Sequence, residues 1–205
     1  MTTPDDAEAG ETVRPMIWLV RHGQTEWAVL GRHTGRTDVP LTDEGRAQAL
    51  ALEAGLASGP GFALVLTSPR QRASVTADLA GFPSAVVDPD LAEWDYGALE
   101  GLTTPQIKAA HPAWTIWTGP WPDGETVDQV GARADRVLAR AAEADGDVLL
   151  FSHGHLLRIL AARWLGLGPD YGRLFGLSTG TISILGWDRE NRVIDTWNEA
   201  CHLAT

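Results

Sequence analysis

Four short apolar runs, each cut off by a cluster of polar residues, constrain this chain more than any other feature. Met16-Ile17-Trp18-Leu19-Val20 stops at Arg21-His22-Gly23, and Phe62-Ala63-Leu64-Val65-Leu66-Thr67 stops at Ser68-Pro69. Ala85-Val86-Val87 gives way to the stretch from Asp88 to Asp95, and Asp147-Val148-Leu149-Leu150-Phe151 to Ser152-His153-Gly154-His155. Runs this short and apolar on both faces read as buried strands of a parallel sheet. Helical patterns lie between and after them. Thr42 caps a helix to about Gly55 with Ala47, Leu50, Ala51 and Ala54 on its apolar stripe. Pro69 opens a helix over 70–80 that carries Ala73, Ala77 and Ala80, and a short helix is expected near 103–110. Thr126 to Ala144 carries Val127, Val130, Ala134, Val137, Leu138 and Ala141, and a last helix runs from Leu156 to about Gly166. Thr181–Trp187 and Arg192–Trp197 pair as a hairpin, while 24–41 and most of 88–125 read as loop. The alternation specifies the α/β class: a three-layer α/β/α sandwich whose sheet is mostly parallel, with one antiparallel strand.

The 205 residues fit one domain, 16–205, behind an acidic tail, 1–15, with too little apolar surface to order itself. Lys and Arg total 16 against 27 Asp and Glu, a net charge of −11, which argues against nucleic-acid or anionic-membrane partners. Cys201 is the single cysteine, so neither an internal disulfide nor a cysteine-rich zinc site is expected. The start is acidic rather than basic and apolar, and no aliphatic run approaches the roughly 20 residues of a membrane span. A cytoplasmic location is expected. Cys201 and the terminal hairpin are the place where a homodimer contact would fall.

In open α/β sheets ligands sit beyond the carboxyl ends of the strands. There this sequence places Arg21, His22, Arg72, Glu93 and His153. Two guanidiniums fork onto phosphate oxygens. Gly154 and His155 open a helix whose free N–H groups favour an anion. A neutral His22 imidazole can attack phosphorus, with Gly23 letting backbone come close to the ligand. Glu93, between Leu91-Ala92 and Trp94-Asp95-Tyr96, can protonate a leaving alkoxide, desolvation and the phosphate charge raising its pKa. Each residue alone has a plainer reading: a polar loop, a helix cap, a solvated carboxylate, a helix-surface charge. Their coincidence at strand ends favours the chemical one. His22, His153 and His155 as metal ligands are the competing arrangement, disfavoured by the repulsion Arg21 and Arg72 would exert on a cation.

These residues resemble the histidine phosphatase superfamily, the phosphoglycerate mutase-like clan. The match runs through Leu19-Val20-Arg21-His22-Gly23-Gln24-Thr25-Glu26-Trp27, Thr34-Gly35-Arg36-Thr37-Asp38-Val39-Pro40-Leu41-Thr42 and Thr67-Ser68-Pro69-Arg70-Gln71-Arg72-Ala73. It continues through Glu93-Trp94-Asp95-Tyr96-Gly97, Glu100-Gly101, Gly124-Glu125-Thr126 and Ser152-His153-Gly154-His155. The nearest branches are the sedoheptulose bisphosphatase-type phosphatases and the actinobacterial acid phosphatases. The resemblance implies a phosphoglycerate mutase-like fold, His22 as phosphorylated nucleophile, Glu93 as proton donor, and Arg21, Arg72 and His153 as the phosphate pocket. It implies substrate contacts at Thr34, Gly35 and Tyr96, beside Gly154 and His155, and neither metal nor cofactor. Ala28 and His155 depart from the more usual Asn at those positions.

The expected activity is metal-independent hydrolysis of a phosphomonoester of a small metabolite, a sugar phosphate foremost, through a phosphohistidine. A cofactor-dependent phosphoglycerate mutase is the alternative. It would need a lid against water, and about 27 residues between Tyr96 and Gly124 leave little for one. A non-catalytic phospho-ligand-binding module is the lesser alternative, and it would have no use for Glu93. Trp114, Trp117 and Trp121 either plug the domain, which is slightly favoured, or wall the substrate site. With Lys108 the single lysine, a second phosphate or a carboxylate on the substrate would rely on Arg32, Arg36, Arg70 or Arg158, the first two preferred.

Overall fold

In the computed structural model, which describes residues 14–57, 59 and 61–204, six strands form one sheet in the order β3-β2-β4-β1-β5-β6. They are β1 (Ile17–Arg21), β2 (Leu64–Thr67), β3 (Val86–Val87), β4 (Val148–Ser152), β5 (Ile182–Asp188) and β6 (Asn191–Glu199). β1, β2, β3 and β4 pair in parallel. β5 is antiparallel to both β1 and β6, so it alone runs against the rest, as expected.

Side-chain alternation along the strands divides the interior in two. Ile17, Leu19, Val148 and Leu150 face α5 (Val127–Ala142) and α6 (Gly154–Trp164), where Val130, Ala134, Val137, Leu157 and Leu160 complete one core. Val20, Leu149 and Phe151 face α2 (Asp43–Ala57) and α3 (Gln71–Leu79), against Leu52, Leu56, Ala77 and Ala80. A sheet with helices on both faces is the three-layer sandwich predicted. α5 begins with a capping box, in which Thr126 accepts from the Gln129 N–H and Gln129 answers the Thr126 N–H.

Several boundaries and one face differ from expectation. α2 buries Gly45, Ala49, Leu52 and Leu56 rather than Ala47, Leu50, Ala51 and Ala54, and Leu50 is 55% exposed. Alanine and leucine recur on more than one face of this helix, so spacing offers two stripes. Close packing selects one of them, because a Cβ at Gly45 would lie 2.0 Å from the Gln24 carbonyl oxygen. Pro69 lies ahead of the α3 cap, Arg70, not inside the first turn. The loop 24–41 contains a four-residue helix, α1 (Glu26–Val29), capped by the Thr25 hydroxyl accepting from the Ala28 N–H at 3.2 Å. The short helix expected near 103–110 is α4 (Thr104–Ala110).

Of the expected tail, residues 1–13 lie outside the described residues. Arg14 and Pro15 are anchored: the Arg14 guanidinium stacks 4.8 Å from the Trp187 ring, and the Trp187 indole donates to the Pro15 carbonyl at 3.3 Å. Cys201 is exposed in a short turn after β6.

The register fixes the functional rim. Arg21 is level with Ser152, and Thr67 with Phe151, so three adjacent strands end at one height. The His22 N–H then donates to the Ser152 carbonyl at 3.0 Å and the Ser68 N–H to that of Phe151 at 2.9 Å.

Candidate active site

His22, at the end of β1, is 5% exposed and lines a cavity of about 470 Å³. Its Nδ1 lies 2.7 Å from the Gly23 carbonyl oxygen. A carbonyl only accepts, so Nδ1 carries the proton and Nε2 keeps its lone pair. Burial above all, then the charges of Arg72 and Arg21, hold the imidazole well below its ordinary pKa. His22 is therefore neutral, with a free nitrogen.

Gly23 serves a different end from the one expected. A Cβ there would sit 2.2 Å from the Gly45 carbonyl oxygen, so the glycine admits the start of α2 rather than a ligand. Its N–H donates to the Thr76 hydroxyl at 3.0 Å, tying the nucleophile loop to α3.

His153 is fully buried, its ring centroid 5.2 Å from that of His22. Arg72 Nε can only donate, and it reaches His153 Nδ1 at 3.2 Å. The His153 proton is therefore on Nε2, which donates to Ser68 Oγ at 2.6 Å. Arg72, 1% exposed, is no helix-surface charge. Its other nitrogens donate to the carbonyls of Thr37 at 3.0 Å, Thr34 at 2.9 Å and Gly35 at 3.3 Å. Glu100 holds the same loop by its donors, accepting from the N–H groups of Gly35 and Thr37 at 2.9 and 3.0 Å. Both backbone groups of Gly35 are thus committed and it stands off the cavity; Thr34 does line it. Arg72 and His153 stand behind His22, also off the lining.

Arg21 faces the cavity. One Nη donates to the Leu177 carbonyl, while its buried Nε has no hydrogen-bond partner among the described residues. Gly154 admits it, since a Cβ there would lie 3.3 Å from the guanidinium carbon. The Gly154 N–H, first of α6, also donates to no described group and borders the same space.

Glu93 occupies the start of α6. Its Oε1 accepts from the N–H groups of Trp94 at 2.9 Å and Leu156 at 3.0 Å, and its Oε2 from that of His155 at 3.0 Å. Of roughly four lone-pair directions on a carboxylate, one is left, on Oε2, and Glu93 lines the cavity. Arg133 fixes the backbone that carries it. This side chain donates to the carbonyls of Asp90 at 2.7 Å, Ala92 at 2.9 Å and Glu93 at 3.4 Å, while forking onto Glu125 at 2.7 and 2.8 Å. Burial pushes the Glu125 pKa up, but Arg133 outweighs it and the carboxyl stays below its ordinary value. The sequence reading missed Arg133. The signal was there: position 133 falls on the Val130–Val137 row of α5, a charge on a buried stripe.

Tyr96 and His155 form the floor, the Tyr96 hydroxyl 2.7 Å from His155 Nδ1. Burial raises the Tyr96 pKa and lowers that of His155, so both are neutral. His33, unassigned by the sequence, packs 4.8 Å from the Tyr96 ring and joins the lining. Trp114 and Trp117 are wall, whereas Trp121 is plug, packed 6.0 Å from Trp94 and donating to the Ile116 carbonyl at 2.7 Å. Arg32, Arg158 and Lys108 line the cavity. Arg36, a preferred candidate, instead pairs with Asp95 at 2.6 Å, and Arg70 is off the lining. Ala28 brings no donor to it.

The three-histidine metal arrangement does not form: both His153 nitrogens and His155 Nδ1 are engaged by other groups. Among the described residues no group of three or more His, Cys, Asp or Glu is placed to hold a metal ion.

Residues 17–200 match the model of the histidine phosphatase superfamily, branch 1. The chain belongs to that superfamily. It is a phosphatase, a hydrolase, with a phosphoglycerate mutase-like fold. An acid phosphatase of Mycobacterium tuberculosis is 47% identical over 84% of this chain and 86% of its own. A sedoheptulose 1,7-bisphosphatase of Saccharomyces cerevisiae is 37% identical over 77% and 70%. A solved structure of a Mycobacterium tuberculosis open reading frame superposes with a TM-score of 0.87 at 44% identity, covering 90% of this chain and 97% of that one. Phosphoglycerate mutases match at lower identity. Among the described residues no helix is long and apolar enough to cross a membrane.

The buried neutral histidines set an acid limit on stability. His22, His153 and His155 all have native pKa values well below 6.5. The unfolded chain therefore binds protons first as pH falls. Their contribution is complete above about pH 6.5 and is lost as pH drops from there towards the native values, at roughly 1 kcal/mol per pH unit for each. Glu125 acts in a lower window, below the ordinary carboxylate range. Urea unfolding at pH 7.5 and 5.5 should show a fall of several kcal/mol, reduced in His155→Gln; equal stability at both pH values would refute the neutral assignment.

Proposed function

We propose that residues 16–205 form one catalytic domain that hydrolyses phosphomonoesters of small polar metabolites, sugar phosphates foremost, in the cytoplasm and without a metal ion. The observation that carries the reading is the His22 tautomer: proton on Nδ1, lone pair on Nε2, beside the guanidiniums of Arg21 and Arg72. Nε2 attacks phosphorus, the ester P–O bond breaks, and Glu93 Oε2 passes its proton to the leaving alkoxide. Water then attacks the phosphohistidine, its proton returning to Glu93, and inorganic phosphate leaves. Arg21 and the Gly154 N–H receive the phosphoryl oxygens from the cavity side, with Arg72 and His153 closing the seat behind, so charge stabilisation comes from guanidiniums and a helix end. Thr34, Tyr96 and His155 contact the rest of the substrate.

Hydrolysis is favoured over mutase chemistry by the short segment between Tyr96 and Gly124, which α4, the Trp114–Trp117 wall and the Trp121 plug largely use up, leaving little for a covering lid. A mere binding module would need neither a free Nε2 nor a proton site on Glu93.

Wild-type protein should hydrolyse p-nitrophenyl phosphate and His22→Ala should not; activity surviving in the variant would end the proposal. Glu93→Gln should slow alkyl phosphates by about 10²-fold or more, and aryl phosphates, whose leaving groups need little protonation, far less. Equal slowing of the two classes would remove Glu93 as the acid.

A further inference from the structure

A second cavity, of about 220 Å³, lies at the far end of the sheet from His22, and the hydrolase reading makes no use of it. The catalytic groups gather beyond Arg21, at the end of β1. Ile17, which starts β1, lines this second space, and the two cavities share no lining residue. Ala142 and Trp164, the last residues of α5 and α6, close one side. Trp187 and Arg192, paired in register across β5 and β6, close the other with Arg14 and Pro15.

Two tryptophans make the walls. The Trp164 and Trp187 rings meet edge to face, their centroids 5.0 Å apart at 74°. The Trp164 indole donates to the Val193 carbonyl at 2.9 Å and the Trp187 indole to the Pro15 carbonyl at 3.3 Å. Both N–H groups are thus spent within the fold, which locks the rings and leaves a visitor only their apolar surface.

Two exposed arginines cover that corner. The Arg192 guanidinium carbon lies 4.6 Å from the Trp164 ring centroid and 5.6 Å from that of Trp187, and the Arg14 carbon 4.8 Å from that of Trp187. Stacking places a guanidinium without neutralising it. Elsewhere Arg36, Arg133, Arg136, Arg140, Arg163 and Arg173 pair with Asp or Glu; among the described residues Arg14 and Arg192 do not. Asp188 and Glu190, at the β5–β6 turn, do not line the space, and Asp147 is taken by the N–H groups of Met16 and Trp18. Arg14 donates to the Arg189 carbonyl at 3.3 Å, and Arg192 donates to no described group.

Size and chemistry then select the ligand. A cavity of roughly 150 Å³ holds benzene, so this one takes a single aromatic unit with a short arm and is too small for a sugar bisphosphate or a nucleotide. Ile17, Pro15, Ala142 and the locked rings offer no side-chain hydrogen bond to a hydroxyl-rich molecule. The side-chain donors left on the lining are guanidinium N–H groups, whose fork matches a carboxylate.

We infer that the Trp164–Trp187 corner, with Arg14 and Arg192, is a binding site for a small aromatic carboxylate, its ring against the tryptophans and its anionic arm on the guanidiniums.

Phenylacetate and indole-3-acetate are the probes, with phenylacetamide and acetate as controls lacking the charge or the ring. Calorimetry reads affinity, and the indole N–H resonances in a proton–nitrogen NMR spectrum read location. At least one aromatic acid should bind tenfold or more tighter than both controls and shift the Trp164 and Trp187 resonances. Arg192→Met should weaken that binding about tenfold, Arg192→Lys less, with p-nitrophenyl phosphate hydrolysis unchanged. Arg14→Met should act in the same direction, which makes a test independent of the β5–β6 pairing at Arg192. Aromatic acids no tighter than the controls, shifts confined to Trp114 and Trp117 of the catalytic cavity, or affinity unchanged in both Met variants would each overturn the site.

Discussion

One hydrogen bond, from His22 Nδ1 to the Gly23 carbonyl oxygen at 2.7 Å, decides what the rest of the site is for. It commits one ring nitrogen as donor and leaves the other with its lone pair free. Burial and two guanidiniums then prevent that atom from being protonated. The packing around it is tight enough to keep the geometry. Gly23 and Gly45 bring two backbones to within a distance that no side chain would allow, and Thr76 fixes the Gly23 N–H.

Around that nitrogen each charged group is held by backbone rather than by an opposite charge. Arg72 grips three carbonyls of the 34–37 stretch, whose N–H groups Glu100 takes. Glu93 is seated by three N–H groups, two of them at the start of α6, and the loop beneath it is fastened by Arg133. Fixed dipoles of this kind need not reorganise as charge moves in a transition state. They also leave Arg21 unneutralised, so the site is attractive to a phosphate although the protein as a whole repels anions.

Much of this was legible in the sequence because strand ends are legible. An apolar run that stops at Arg21-His22 or at Ser152-His153 locates a strand, its direction and its functional end at once, and the parallel register brings those ends to one height. What stayed hidden depends on which face of a helix or loop turns inward. α2 offered two apolar stripes and spacing could not choose between them. Gly35 looked like a ligand contact but is an anchor; Arg36 looked free but is paired with Asp95. Lys108 looked incidental, because the approach of α4 to the cavity depends on the packing of 97–122, which no local pattern specifies.

The account stands on covalent chemistry at one atom. Rapid-quench mass spectrometry and phosphorus NMR on enzyme caught during turnover of p-nitrophenyl phosphate read it directly. The predicted result is an acid-labile, base-stable phosphoryl group on His22, attached at Nε2. Phosphate on Nδ1, on another residue, or no phosphoenzyme alongside turnover with inverted stereochemistry at phosphorus, would contradict it.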